Sequence, residues 1–157
     1  MQIAKALEAE VTGVCGTSNV ETVRSLGADH VIDYTKEDFT RAGQRYDIIF
    51  QVAGTHSPSA CRRALTRTGT VVQCSGAGRL SGIDRIITAL ALSPFVKQRL
   101  RFFITASNKE DLIVLEELFE SGKVTPVIDR THDLREVPEA IRYLERGHAR
   151  GKVVIAV

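Results

Sequence analysis

The sequence predicts an α/β fold built on a doubly wound parallel sheet, and three observations carry that prediction. Apolar runs of strand length alternate with amphipathic helical runs along the 157 residues, the signature of a parallel sheet flanked by helices. Tyr46-Asp47-Ile48-Ile49-Phe50-Gln51-Val52 is apolar at almost every position after Asp47, as expected of a strand covered on both faces. The predicted strands end in Gly16-Thr17-Ser18-Asn19, Asp33-Tyr34, Ala53-Gly54-Thr55, Ser75-Gly76-Ala77-Gly78 and Ala106-Ser107-Asn108. Open sheets bind ligands at such carboxyl ends, although turn chemistry alone accounts equally well for four of the five.

The elements follow in order. Gln2–Leu7 reads as the end of an amphipathic helix that feeds a strand at Val11–Cys15. In an alternating chain such a helix is itself fed by an earlier strand, yet only Met1 precedes it. In dinucleotide-binding folds the strand in that place carries the glycine-rich turn that receives the pyrophosphate. The expectation is therefore a Rossmann-like sheet lacking its first strand and glycine-rich turn. Ser18 or Asn19 caps a helix over residues 20–26, which Gly27 stops in the left-handed region. His30–Asp33 is a short strand, and a brief second helix is expected near Lys36–Ala42. Then come the strand Tyr46–Val52, a helix Ser59–Leu65 ended near Gly69, a buried strand Thr70–Cys74 and an apolar helix Ile83–Leu92 stopped by Ser93-Pro94. Arg101–Thr105 is a strand. Asn108 caps a helix Lys109–Glu120 whose buried face is Leu112, Leu115, Leu118 and Phe119. Val124–Ile128, with Pro126, suits a short extended piece. A helix Val137–Glu145, a basic loop Gly147–Gly151 and a strand Lys152–Val157 close the chain. No linker or repeat interrupts it, so residues 1–157 are read as a single, truncated dinucleotide-binding domain.

Composition excludes several function classes. Lys plus Arg exceed Asp plus Glu by only 21 − 19 = 2, and Arg62-Arg63 and Arg99-x-Arg101 are too short to form a nucleic-acid footprint. No apolar run approaches the ~18 residues needed to span a bilayer. The three cysteines, Cys15, Cys61 and Cys74, are odd in number and far apart. That argues against a disulfide framework or a zinc site and for a reducing compartment, the cytoplasm. Cys15 and Cys74 sit in apolar strand runs and read as small core residues.

The most informative strand end is Gly16-Thr17-Ser18-Asn19. In a dinucleotide fold it follows the strand whose end meets the adenosine ribose, where an acid would favour NAD. With neutral Thr17 and Ser18 there, a 2′-phosphate has room, so NADPH is expected, with NADH the alternative. A plain helix cap explains Ser18 and Asn19 equally well, and a helix N-terminus is also an anion site. Gly76-Ala77-Gly78-Arg79-Leu80-Ser81-Gly82 imitates a glycine fingerprint, but the strand after it ends without an acid, so it is read as a loop near a ligand. Catalytic residues stay unassigned. His30, His56, His132 and His148 are scattered, His30 starts a strand, and Glu116-Glu117 reads as solvated helix surface. Hydride transfer requires no protein nucleophile, because the cofactor carries that chemistry.

Three stretches together are specific: Gln2-Ile3-Ala4-Lys5-Ala6-Leu7-x-Ala9-Glu10-Val11-Thr12, Leu26-Gly27-Ala28-Asp29-His30-Val31-Ile32-Asp33-Tyr34, and Gly147-His148-Ala149-Arg150-Gly151-Lys152-Val153-Val154. They resemble the medium-chain dehydrogenase/reductase superfamily, the zinc-type alcohol dehydrogenase relatives, and within it the quinone oxidoreductase-like branch. The resemblance covers essentially the whole chain and corresponds to the second, nucleotide-binding half of such an enzyme. It implies NADPH-dependent reduction of quinones or activated carbon–carbon double bonds, in a cleft between two domains and without zinc. It also implies roles for particular residues. Thr17, Ser18 and Tyr34 would face the ribose and its 2′-phosphate, Ala53-Gly54 and Ser75-Gly76 would line the cofactor's path, and Phe103-Ile104 would approach the nicotinamide through backbone groups. Arg150 and Lys152 would offer a cationic contact from the terminal loop. Family dimers pair through the strand at Arg101–Thr105, which implies a homodimer.

The chain departs from the family pattern at three places. Ser18 stands where NADP-preferring relatives often carry Arg or Lys, and Gln51 replaces a common acid. Glu8 replaces the glycine that usually ends the first helix, where a left-handed turn would cost it roughly 1 kcal/mol. The absent strand would lie in the middle of the sheet, between Val11–Cys15 and Tyr46–Val52. Bare backbone groups in such a slot cost about 1–3 kcal/mol each. The two strands are therefore expected to close on each other, or to be joined by another segment or a partner chain.

Overall fold

A computed structural model describes residues 1–52, 56–74, 97–102, 108–147 and 149–157. The chain divides into two compact units, Met1–Asp33 with Asn108–Val157, and Tyr34–Ser107.

In the first unit, β1 (Thr12–Cys15) and β2 (His30–Asp33) pair in parallel, Thr12 opposite His30 and Cys15 opposite Asp33. The crossover runs through a single 3₁₀ turn, Thr17–Asn19, into α2 (Val20–Ser25). Gly13 allows this helix to approach its strand, since a Cβ there would fall on Val23 Cγ1. The helix ends as expected, with Gly27 at φ +88°. Its start differs: Gly16 precedes the 3₁₀ turn, and no side chain caps either helical piece. Before β1 lies α1 (Gln2–Ala6). Glu8 holds φ +61°, the one left-handed non-glycine residue among the described residues, which bears out the expected strain. Asp29 ties this helix to the β1–β2 unit, taking the Lys5 ammonium at 2.8 Å and the Val11 N–H at 2.7 Å.

The same unit holds α4 (Lys109–Glu120), capped by Asn108, whose Oδ1 accepts from the Asp111 N–H at 2.8 Å. Its expected buried face is only partly covered: Leu115 and Leu118 are half-buried, whereas Leu112 is 61% exposed and Phe119 45%. Gln2 and Thr125 exchange a pair of hydrogen bonds, side chain to backbone, at 2.8 and 2.6 Å. Residues 124–127 carry no strand. Instead β6 (Ile128–Asp133) begins at the end of that stretch and pairs in parallel with β7 (Lys152–Ala156), connected through α5 (Val137–Glu145).

The second unit is a parallel three-stranded sheet in the order β3 (Tyr46–Gln51), β4 (Leu65–Gln73), β5 (Arg99–Phe102). The link α3 (Pro58–Arg63) is capped by Ser57, whose Oγ accepts from the Ala60 N–H at 3.2 Å. Its core is Ile49, Cys61, Ala64, Leu65 and Val71, with Phe39, Tyr46 and Leu100 packed alongside. Gln98 ties α3 to β4, accepting from Arg62 Nε at 3.1 Å and donating to the Arg62 and Thr66 carbonyls. β4 starts five residues earlier than Thr70, and the ladder slips between Tyr46–Leu65 and Ile48–Thr70. Gly69 sits at that slip, where a Cβ would lie 2.9 Å from the Tyr46 carbonyl oxygen. Residues 36–42 form turns and not a helix, because Asp38 Oδ1 captures the Thr40 N–H and hydroxyl at 2.9 and 2.8 Å. The predicted helix Ile83–Leu92 lies outside the described residues.

Burial of β3 on both faces is corrected as well. Ile49 and Gln51 are buried, whereas Ile48, Phe50 and Val52 are 66%, 60% and 61% exposed. β3 pairs with β4 alone, and β1 with β2 alone, among the described residues.

Candidate functional site

The expected ribose corner is built at the carboxyl end of β1. Register places Asp33, the last residue of β2, level with Cys15. As the chain turns at Gly16, the Thr17 hydroxyl donates to Asp33 Oδ2 at 2.6 Å. Asp33 is 9% exposed. An acid does therefore sit at this strand end, supplied by the neighbouring strand and not by the residues that follow β1, and the expectation of a neutral corner is corrected. Asp33 already stood among the predicted strand ends, but the parallel register that sets it level with Cys15 leaves no mark along the chain.

This contact decides what Thr17 can offer a ligand. Its hydroxyl has one proton, and Asp33 takes it, so the group has none left to donate to a ligand. That suits a ribose hydroxyl, which donates, and not a phosphate oxygen, which accepts. Ser18, by contrast, is exposed and can still donate. Asn19 is half-buried, and its Oδ1 is shut off from water with no hydrogen-bond partner among the described residues. Burial and, to a lesser extent, the Asp33 charge push the Cys15 thiol up from its ordinary range, so it stays protonated at neutral pH and is a poor nucleophile.

The remaining sequence-derived residues are placed as follows. Tyr34 comes directly after Asp33 and is 62% exposed. Arg150 and Lys152 lie at the start of β7. The Arg150 N–H donates to Asp129 Oδ2 at 3.0 Å and the Lys152 N–H to the Val127 carbonyl at 2.6 Å, so both are held by their backbone with exposed side chains. Ala53, Gly54, Ser75, Gly76, Phe103 and Ile104 lie outside the described residues, as does the glycine-rich stretch 76–82.

Sequence reasoning missed a second polar group, in the other unit. Asp38 Oδ1 lies 3.3 Å from His56 Nε2, and the His56 ring meets Phe39 edge-on, centroids 4.9 Å apart. Hydrogen bonds from Thr40, and then the nearby His56 and Arg41 charges, hold the Asp38 carboxyl below its usual range. The His56 carbonyl accepts from Gln51 Nε2 at 3.2 Å at the end of β3. The Asp-x-Thr turn was the available signal. None of the cysteines is in a disulfide; Cys61 is fully buried, while Cys15 and Cys74 are half-buried and not core. Among the described residues, no group of three His, Cys, Asp or Glu side chains could hold a metal ion, and no helix is long and apolar enough to cross a membrane.

A family model described as zinc-binding dehydrogenase matches residues 26–155. The chain belongs to this family. Within the medium-chain dehydrogenase/reductase superfamily its relatives are of the quinone oxidoreductase-like kind. A mitochondrial NAD(P)H oxidoreductase RTN4IP1 from Mus musculus is 35% identical over all of this chain and 44% of its own length. A chloroplastic NADPH-dependent alkenal/one oxidoreductase from Arabidopsis thaliana is 35% identical over 99% of this chain and 36% of its own. The chloroplastic quinone-oxidoreductase QR1 of Triphysaria versicolor is 33% identical over 99% and 47%. Among solved structures, the quinone oxidoreductase from Coxiella burnetii aligns with a TM-score of 0.80 at 26% identity, over 99% of this chain and 47% of that one. This family member thus spans less than half the length of each of these relatives.

Proposed function

We propose that this chain is the nucleotide-binding half of an NAD(P)H-dependent oxidoreductase that reduces quinones or activated carbon–carbon double bonds by hydride transfer. The observation that carries the reading is the corner where Thr17 leans on Asp33 at 2.6 Å. It presents acceptors to a ribose at the strand end where open sheets bind nucleotides, in a chain whose relatives are named as NAD(P)H, quinone and alkenal/one oxidoreductases. NADPH is the cofactor we favour, with NADH the alternative. Thr17 receives a ribose hydroxyl, while Ser18 and Tyr34 supply the donors a 2′-phosphate needs, and no zinc takes part. The cofactor brings the hydride; this chain's residues bind and orient it.

The rest of the enzyme is part of the same proposal. The chain spans less than half the length of the relatives named above, and by itself it is expected not to turn over substrate. We place it in the cytoplasm as a homodimer. β5 is paired on one edge only among the described residues, which leaves the other edge for the same strand of a second copy. One observation favours a second reading, a non-enzymatic dimeric remnant: the apolar row Ile48, Phe50 and Val52 lies exposed, as on a surface kept for association. Calorimetric titration with NADPH and NADH separates the two. Saturable heat with either supports the first reading, and absence of heat with both leaves the second.

A further inference from the structure

A cleft of about 300 Å³ opens between β6 and α5, lined by Arg130, His132, Glu139, Arg142, Tyr143 and Arg146. Its construction follows from two periodicities. Arg130 and His132 are two apart on a strand and share a face, while Glu139, Arg142, Tyr143 and Arg146 lie at helical spacings of three, four and seven. Three guanidinium groups against one carboxylate give the cleft an excess of two positive charges. No carboxylate lies within ion-pair distance of Arg142 or Arg146 among the described residues, although they stand one helical turn apart and repel each other.

The walls are held in place before any ligand arrives. The Tyr143 hydroxyl donates to Asp129 Oδ2 at 2.6 Å, and the Arg130 guanidinium stacks on the Tyr143 ring, 4.0 Å from its centroid. The His132 side chain is 14% exposed, with Nδ1 3.6 Å from Glu136 Oε2. Its Nε2 is sealed from water and has no hydrogen-bond partner among the described residues.

We propose that this cleft binds a small phosphomonoester that carries a hydroxyl beside its phosphate. Arg142, Arg146 and Arg130 hold the phosphate through charge-assisted bonds, Glu139 accepts the hydroxyl, and the His132 ring behind them reports on the cleft without touching the ligand. Glu139 is what sets the class: a bare phosphate dianion would be repelled by it, whereas a hydroxyl donor gives it a partner. The volume suits a phosphate with a few carbons attached, at the lower end of ligand pockets.

The test follows the His132 ring resonances of the full chain by NMR during titration with glycerol 3-phosphate, inorganic phosphate and glycerol at constant ionic strength. Glycerol 3-phosphate should give a saturable shift, phosphate a weaker one and glycerol none. R142Q/R146Q should weaken binding at least about tenfold, and R142K/R146K should keep most of it. Should the glutamine pair not fold, R146Q alone takes its place. Equal responses to phosphate and glycerol 3-phosphate overturn the proposal, and so does a response that survives loss of the arginine charge. The site is independent of NADPH binding, so the two proposals stand or fall separately.

Discussion

Replacing Glu8 by glycine should stabilise the protein. Glu8 closes α1 through a complete Schellman arrangement: its own N–H donates to the Lys5 carbonyl at 2.9 Å, and the Ala9 N–H to the Ala4 carbonyl at 3.0 Å. That geometry requires the left-handed backbone seen at φ +61°, which costs an ordinary L-residue about 1–2 kcal/mol. Glycine removes the penalty but adds roughly 0.4–1 kcal/mol of unfolded-state entropy. No hydrogen bond or ion pair involving the Glu8 carboxylate offsets the change among the described residues. The net gain is about 0.5–1 kcal/mol, or a rise in melting temperature of some 1–4 °C for a chain of this size. Calorimetry or urea unfolding of Glu8→Gly beside Glu8→Ala measures it. Alanine keeps the left-handed penalty and should bring no gain. Glycine no more stable than alanine would show that the C-cap stores no strain, and the reasoning would fail.

Three further outcomes are expected. Gly151→Ala should cost about 1–3 kcal/mol by overpacking, since its Cβ would be driven onto the Val127 carbonyl oxygen; urea unfolding reads it. Thr17→Val should cost about 1–2 kcal/mol through loss of a hydrogen bond to a charged acceptor, and it should weaken NADH at least as much as NADPH, because the lost group faces the ribose and not the phosphate. Stability should also fall below about pH 4. Asp29, Asp38 and Asp129 all have carboxyls held below the usual range, chiefly by hydrogen bonds from Lys5, Thr40 and Tyr143 respectively. For a depressed carboxyl, the stabilisation is present above the unfolded value and is lost as pH falls through the folded one. Denaturant midpoints at pH 6 and pH 3 measure the drop, and Asp29→Asn should make it smaller.

Local physics was legible in the sequence. β1, β2, the start of β3, α4 with its Asn108 cap, and α5 fall where apolar periodicity and capping residues put them. The strained Glu8 was visible through the resemblance, as a residue standing where the family's glycine usually ends the first helix. The failures share one cause. An apolar run such as Ile48-Ile49-Phe50 states which side chains avoid water, but not which neighbours are there to cover them. Likewise Leu112 and Phe119 read as a buried face and lie exposed. The extra length of β4 and the turn at Asp38 were missed because a bulge and a local side-chain bond compete with the regular pattern.

By itself the sequence determined the alternating α/β plan and the residues at the end of β1, because these rest on spacing along the chain, and three stretches of it carried the resemblance to the family. Only the tertiary structure brought Asp33 to Thr17 and settled which way that hydroxyl points. Only the tertiary structure gathered Arg130, His132, Arg142 and Arg146 around one cleft. Both are contacts between elements, fixed by parallel register and helix packing, and side chains on separate elements carry no mark in sequence of the partner they will meet.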